Sequence, residues 1–185
     1  MSEIDDLRFP VGRSPAIERL TTEERARAID DIAACPARLR STLAGLDDAQ
    51  LDTPYRDGGW TVRQVVHHLA DSHMNAYIRH KLAVNEELPT IKPYDQDRWA
   101  ELADVRECDP QVSLALLEGL HERWVRYLRA LAPEQFERRF VHPEMKSHPT
   151  LDGSVAMYGW HGRHHTAQID GLRRRLGWQR AGKSQ

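Results

Sequence analysis

The sequence predicts an all-α protein, a four-helix bundle with long connecting loops. Three observations predict it. Apolar residues recur at steps of three and four along four segments of roughly 20 residues each. No stretch alternates with the period of two that marks a half-buried strand. Proline-, glycine- and aspartate-bearing runs over 47–60, 87–109 and 132–150 separate the segments, leaving room for crossovers and for loops that shape a site. The length of 185 residues suits one domain, 1–185, with an arm over 1–20 and a frayed tail over 178–185.

Each element has a local reason. Asp5, Asp6, Pro10 and Pro15 mark the opening residues as an arm lying over the surface. Thr21 with Glu24 three positions later fits a capping box, and Ile29, Ile32, Leu39, Leu43 and Leu46 follow on a helix over about 22–45. Pro36 predicts a kink or a break within it. Thr61 is a good N-cap, and Val62, Val65, Val66, Leu69, His73 and Ala76 trace one face of a helix running to 86. Residues 94–104 predict a short helix. Asp109-Pro110 opens a third long helix, with proline at its first position, carrying Leu117, Leu120, Trp124, Leu128 and Leu131. The polar run 133–149 reads as irregular. The last helix, 151–176, bears Val155, Tyr158, Ile169, Leu172 and Leu176, and Gly177 ends it.

Charge excludes several function classes. Lys plus Arg number 26 against 28 for Asp plus Glu, a formal net charge of −2. Such a balance exerts no strong pull on nucleic acid or anionic lipid. No apolar run approaches the roughly 18 residues of a membrane span, and the acidic start lacks the apolar region of a secretory signal. Cys35 and Cys108 form no C-x-x-C pair, so a reducing, cytoplasmic setting is expected. Ten histidines stand out, and their placement is informative.

His161 and His165 are four apart, so both project from one face of the last helix. That spacing offers two imidazoles to one metal ion. Both fall on the stripe of Tyr158 and Ile169, and buried neutral imidazoles need partners. His164 points about 100° away from His165 and reads as a solvated or packing residue. A third ligand should come from another helix. On a helical wheel His67 lies opposite the apolar stripe of 62–76 and reads as solvated. His73 lies near the stripe's centre and His68 on its flank, so periodicity favours His73 while leaving both open.

The stretch LDTPYRDGGWTVRQVVHHLADSHMNAYIR, with GWHGRHHTAQI near the C-terminus, resembles the DinB/YfiT-like family of metal-dependent four-helix-bundle proteins. Trp60-Thr61 opens a helix, His68-Leu69 follows eight residues after the tryptophan, and His161 and His165 fill the H-x-x-x-H of the last helix. The resemblance implies His68, His161 and His165 as the metal ligands. It further implies one divalent ion per chain, usually zinc though nickel also fits, a homodimer and a cytoplasmic location. Many members carry Glu where this chain has Gln64, and no catalytic role follows for that position.

Three neutral ligands leave an open coordination position, the mark of a catalytic rather than a structural zinc site. Such an ion brings the pKa of coordinated water to about 7, which makes a metal-dependent hydrolase of small molecules the first expectation. It equally holds a thiolate. A low-molecular-weight-thiol S-transferase of the bacillithiol type, acting on electrophilic small molecules, is therefore the alternative, and a non-catalytic metal-binding stress-response module is the next. Hydrolysis needs a general acid/base, for which Asp71, one turn from His68, and Asp170, five residues beyond His165, are candidates as catalytic or orienting groups. Transfer needs cations, for which Arg56, Arg63, Arg79 and Arg163 are candidates. Cys35 reads as a small buried hydrophobe. Trp60, Trp124 and Trp160 read as core aromatics, Trp60 and Trp160 being placed to wall the site, and the loop 55–59 to border it.

Overall fold

Capping chemistry sets where the long helices begin. In the first, α1 (Thr22–Leu43), the Glu24 amide donates to Thr21 Oγ1 and the Thr21 amide donates to Glu24 Oε2. After a single turn, α2 (Asp48–Leu51), the same reciprocal pair recurs between Thr61 and Gln64 at the start of α3 (Val62–Asn85). Gln64 also donates from Nε2 to the Ala100 carbonyl, so its side chain is spent on capping and on pinning the next loop. That loop carries two short helices, α4 (Gln96–Trp99) and α5 (Ala103–Glu107), where one was expected. Asp109 caps α6 (Pro110–Ala130), and Thr150 caps α7 (Leu151–Arg175). Gly177, at φ +67°, follows the end of α7 in the left-handed conformation that glycine adopts freely. The expected irregular run after α6 contains a 3-10 turn, Pro133–Glu137, and among the described residues only isolated β-bridges occur, such as Thr90 with Val141.

The computed structural model describes residues 7–14, 16–144 and 148–179. Asp5, Asp6 and Pro15 of the expected arm, and 180–185 of the expected tail, lie outside the described residues. Trp178 is within them and packs against the apolar cluster at its end of the bundle.

The four long helices form a ring in which α1 packs on α6 and α7, and α3 packs on the same two. Helices consecutive in the chain therefore sit diagonally at two of the three connections, from α1 to α3 and from α6 to α7. This is the physical use of the long runs 47–60 and 132–150, since a tight hairpin joins only neighbours. Pro36 lies inside α1 without ending it. Its ring is buried in the bundle, and packing against α6 and α7 outweighs the backbone hydrogen bond that proline forfeits.

Two apolar clusters fill the ends of the ring. One is built on Ile32, Trp124, Leu128, Leu151 and Val155, the other on Leu39, Val65, Leu69, Leu117 and Ile169. Between them, at mid-height on each of the four long helices, lies a polar layer of Cys35, His73, His121, His161 and His165. Two glycines let α7 come close to α1 at this level. A Cβ on Gly162 would lie 2.7 Å from Cys35 Sγ, and one on Gly159 would lie 3.0 Å from the Ala28 carbonyl oxygen.

A separate buried histidine gives the fold a pH dependence. His80 is fully buried; it accepts from Trp124 Nε1 at Nδ1 and donates from Nε2 to Ser154 Oγ, 2.7 Å away. Burial, followed by the charge of Arg79, pushes its pKa down to about 3. The native state thus holds the ring neutral, and its contribution is complete above the unfolded value of about 6.5 and lost as the pH falls toward 3. At pH 4 the loss is about 3 kcal/mol. Urea unfolding of metal-free protein at pH 7.5 and pH 4 checks this: His80→Gln should flatten the difference by about that amount, and an unchanged difference would refute it.

Candidate metal centre

α3 and α7 run side by side, which brings His68 against His161 and His165. His161 Nε2 lies 3.3 Å from His68 Nε2 and 3.2 Å from His165 Nε2. Each ring offers a ligand atom within 4.8 Å of the others. Donors at about 2.0–2.1 Å from a tetrahedral zinc ion lie about 3.3 Å from one another, so the spacing fits one shared divalent cation. His73, the residue at the centre of the helical stripe, turns instead to the far side of His161, with its Nε2 3.1 Å from His161 Nδ1.

Burial keeps the three rings neutral, as ligation requires. It holds the pKa of His68 down to about 4, with the nearby His164 adding to the effect. His161 and His165 are pushed well below the ordinary histidine value, again by burial first and by neighbouring imidazoles second. The tautomer of His165 follows from its surroundings. Gln168 donates from Nε2 to the Arg8 carbonyl, which can only accept, so its amide oxygen faces His165. His165 Nδ1–H donates to that oxygen over 2.8 Å, leaving the Nε2 lone pair turned toward His161 and His68.

The three imidazoles border a cavity of about 670 Å³ walled by Phe9, Trp60 and Trp160 and rimmed by Tyr55, Arg56 and Glu101. Trp60 lies 4.7 Å from the His68 ring, and Trp160 stacks on His164 at 4.4 Å. A second cavity of about 620 Å³ reaches His161 past Tyr94, Tyr158 and Arg79.

Other residues singled out in the sequence fall elsewhere. Asp71 is half-buried and lines neither cavity; burial and then Asp104 raise its pKa to about 6. Asp170 lines a different cavity with Arg174 and Trp178 at the end of α7. Of the arginines, Arg63 pairs with Asp48 and Asp52, and Arg163 with Asp31, whereas Arg56 and Arg79 face the two cavities. His67, expected in solvent, is buried, and His164, read as solvated or packing, takes the packing role. His67 is covered by the start of α6 and the residues before it, accepting from Ser113 Oγ in the first turn of α6 and donating to the Cys108 carbonyl, and His164 is covered by Trp160. Cys35 is buried, and that burial pushes its thiol pKa up to about 12. Sequence reasoning missed Gln168 and His121. His121 lies four after Leu117 and three before Trp124, a spacing that already marked it as inward-facing.

Comparison with known proteins agrees with this architecture. A model of the DinB superfamily matches residues 31–169. A Bacillus subtilis (strain 168) protein named "Putative metal-dependent hydrolase YfiT" is 50% identical over 173 residues, covering 94% of this chain and 97% of its own. A Bacillus mycoides (strain KBAB4) relative with the same designation is also 50% identical, covering 94% and 99%. The solved structure of YfiT from Bacillus subtilis, described as a probable metal-dependent hydrolase with an unusual four-helix bundle topology, superposes with a TM-score of 0.92 over 94% of this chain and 99% of the other. By the span of the family match and the extent of these identities, this chain belongs to the DinB superfamily.

Proposed function

We propose that this protein is a metal-dependent hydrolase of small molecules, with one divalent cation, zinc in the first instance, held by His68, His161 and His165. The observation that carries the reading is the convergence of three imidazoles on the wall of an open cavity, with His161 Nε2 at 3.2–3.3 Å from the Nε2 atoms of the other two. When bound, the cation supplies Lewis acidity and a water made nucleophilic at neutral pH. The chain supplies the rest. Three protein donors would leave such a cation a further position for a non-protein ligand. Gln168 keeps His165 in the ligating tautomer, and Trp60 with Trp160 and Phe9 forms an apolar wall that shields the centre from bulk water. Tyr55 and Arg56 on the rim are placed to hold polar groups of a substrate. Asp71 and Asp170 enter no proton transfer in this scheme, since neither lines that cavity.

A thiol S-transferase is the second reading, favoured by the two arginines on the cavities that share His161. Arg79 donates to the Lys92 carbonyl, and its buried Nε has no acceptor among the described residues, so an anionic thiol would find a donor there. Zinc-loaded protein tested on esters, amides and thiol–electrophile pairs separates the readings. Turnover of an ester or amide that disappears in His161→Ala supports the hydrolase. Turnover confined to the thiol-dependent pairs would replace it with the transferase.

A further inference from the structure

Behind the cavity, a line of hydrogen-bonding groups runs through all four long helices. His161 Nδ1 on α7 lies 3.1 Å from His73 Nε2 on α3. His73 Nδ1 lies 2.8 Å from His121 Nε2 on α6. His121 Nδ1 lies 2.7 Å from the Ile32 carbonyl oxygen on α1. That carbonyl is available for a reason written in the sequence. Its helical donor would be the amide four residues later, and that residue is Pro36, which has no N–H.

The direction of the whole line follows from its closed end. A carbonyl only accepts, so His121 carries its proton on Nδ1. A neutral imidazole has one N–H and one lone pair, so His121 Nε2 accepts from His73 Nδ1–H, and His73 Nε2 accepts from His161 Nδ1–H. His161 is left with a lone pair on Nε2, facing His68 and His165. His73 and His121 are both buried, which disfavours a charged ring that would reverse any of these bonds. The neutral histidine side chain in water prefers the opposite tautomer, with the proton on Nε2, so the line works against the default. In the metal-free protein His161 and His165 then oppose two lone pairs at 3.2 Å with no proton between them, an arrangement that a cation relieves.

We infer that Ile32, His121 and His73 form a relay that fixes the ligating tautomer of His161, with His73 and His121 as positioning residues and the interior Pro36 as the feature that frees the anchoring carbonyl. The inference rests on the triad reading proposed above. A competing use of the same side chains is a second cation site, because Cys35, His73 and His121 also bring three ligand atoms within 4.8 Å. Two observations disfavour it. The 2.8 Å between His73 and His121 is a hydrogen-bond length, shorter than the roughly 3.3 Å between donors of a tetrahedral site. A cation on His73 Nδ1 would also put the His73 proton on Nε2, which would then donate to His161 Nδ1. The His161 proton would move to Nε2 and block the first site, so neutral rings do not serve both.

The test uses full-length protein labelled with ¹⁵N-histidine, with Zn²⁺ as the probe. Two-bond ¹H–¹⁵N spectra of the metal-free wild type should show His161, His73 and His121 all protonated at Nδ1. His121→Phe should shift His161 toward the Nε2–H form and weaken Zn²⁺ binding about tenfold to a hundredfold. His121→Gln, whose amide both donates to Ile32 and accepts from His73, should restore most of that affinity. Cys35→Ser should leave one Zn²⁺ per chain. A metal-free wild type with His161 protonated at Nε2 would overturn the relay without any variant having to fold. So would a His121→Phe protein of unchanged affinity, or a second Zn²⁺ that Cys35→Ser removes. Stoichiometric Zn²⁺ in His161→Ala, with the wild-type tautomers as expected, would instead sink the triad reading and leave only the hydrogen-bonded line.

Discussion

His161→Ala should abolish stoichiometric binding of a divalent cation and reduce the proposed hydrolysis to background. His161 is the middle donor, within 3.3 Å of both other Nε2 atoms, so its loss leaves two imidazoles facing each other across a gap with no third neutral donor between them. Outer-sphere partners of a metal site typically cost 10–100-fold in affinity when removed, so an inner ligand should cost more than about a hundredfold. His68→Ala and His165→Ala should behave alike. His67→Ala and His164→Ala should keep one ion per chain, because His67 is engaged with Ser113 and Cys108, and His164 with Trp160 and Gln168. Elemental analysis of each folded variant reads the outcome. An ion lost with His67 or His164, and retained without His161, would contradict it.

The largest loss of stability should come from Asp152→Ala, about 3–5 kcal/mol. Asp152 sits in the first turn of α7 with its side chain 1% exposed, and it holds Arg25 of α1 through two bonds, Nε to Oδ1 at 2.7 Å and the terminal nitrogen to Oδ2 at 2.9 Å. It also accepts from the Leu20 amide, tying the arm to the bundle. Removing the carboxylate leaves a guanidinium that is nearly buried over the Phe136 ring without its counter-charge. Breaking one side of a buried pair costs more than replacing both. Arg25→Met combined with Asp152→Leu should therefore recover much of the loss. Urea midpoints at constant slope measure both variants. A single variant within about 1 kcal/mol of wild type would show that the pair contributes little.

Much of this architecture is legible residue by residue. Thr21-Glu24, Thr61 and Asp109-Pro110 announce helix starts because orphan amides need acceptors that only a few side chains supply. Steps of three and four place Val65, Leu69, Trp124 and Ile169 inward, as the structure has them. The wheel correctly puts His73 at the centre of the bundle. Yet the imidazole that meets His161 and His165 at the cavity is the flanking His68, because a cavity at the edge of two helices is served from the flank. Burial of His67 depends on what folds over it, and the start of α6 is distant in sequence from α3. Pro36 reads as a break when α1 is considered alone. Only the opposing His121, brought in from another helix, shows what the proline leaves free.

X-ray absorption spectroscopy at the zinc edge of the loaded protein reads the ligand shell itself. The spectrum should show three imidazole nitrogens and one light, exchangeable ligand at about 2.0–2.1 Å, with no sulfur in the shell. A sulfur scatterer at about 2.3 Å would place the ion on Cys35 and its histidine neighbours, and a closed shell of four protein donors would make the site structural; either result would contradict that expectation.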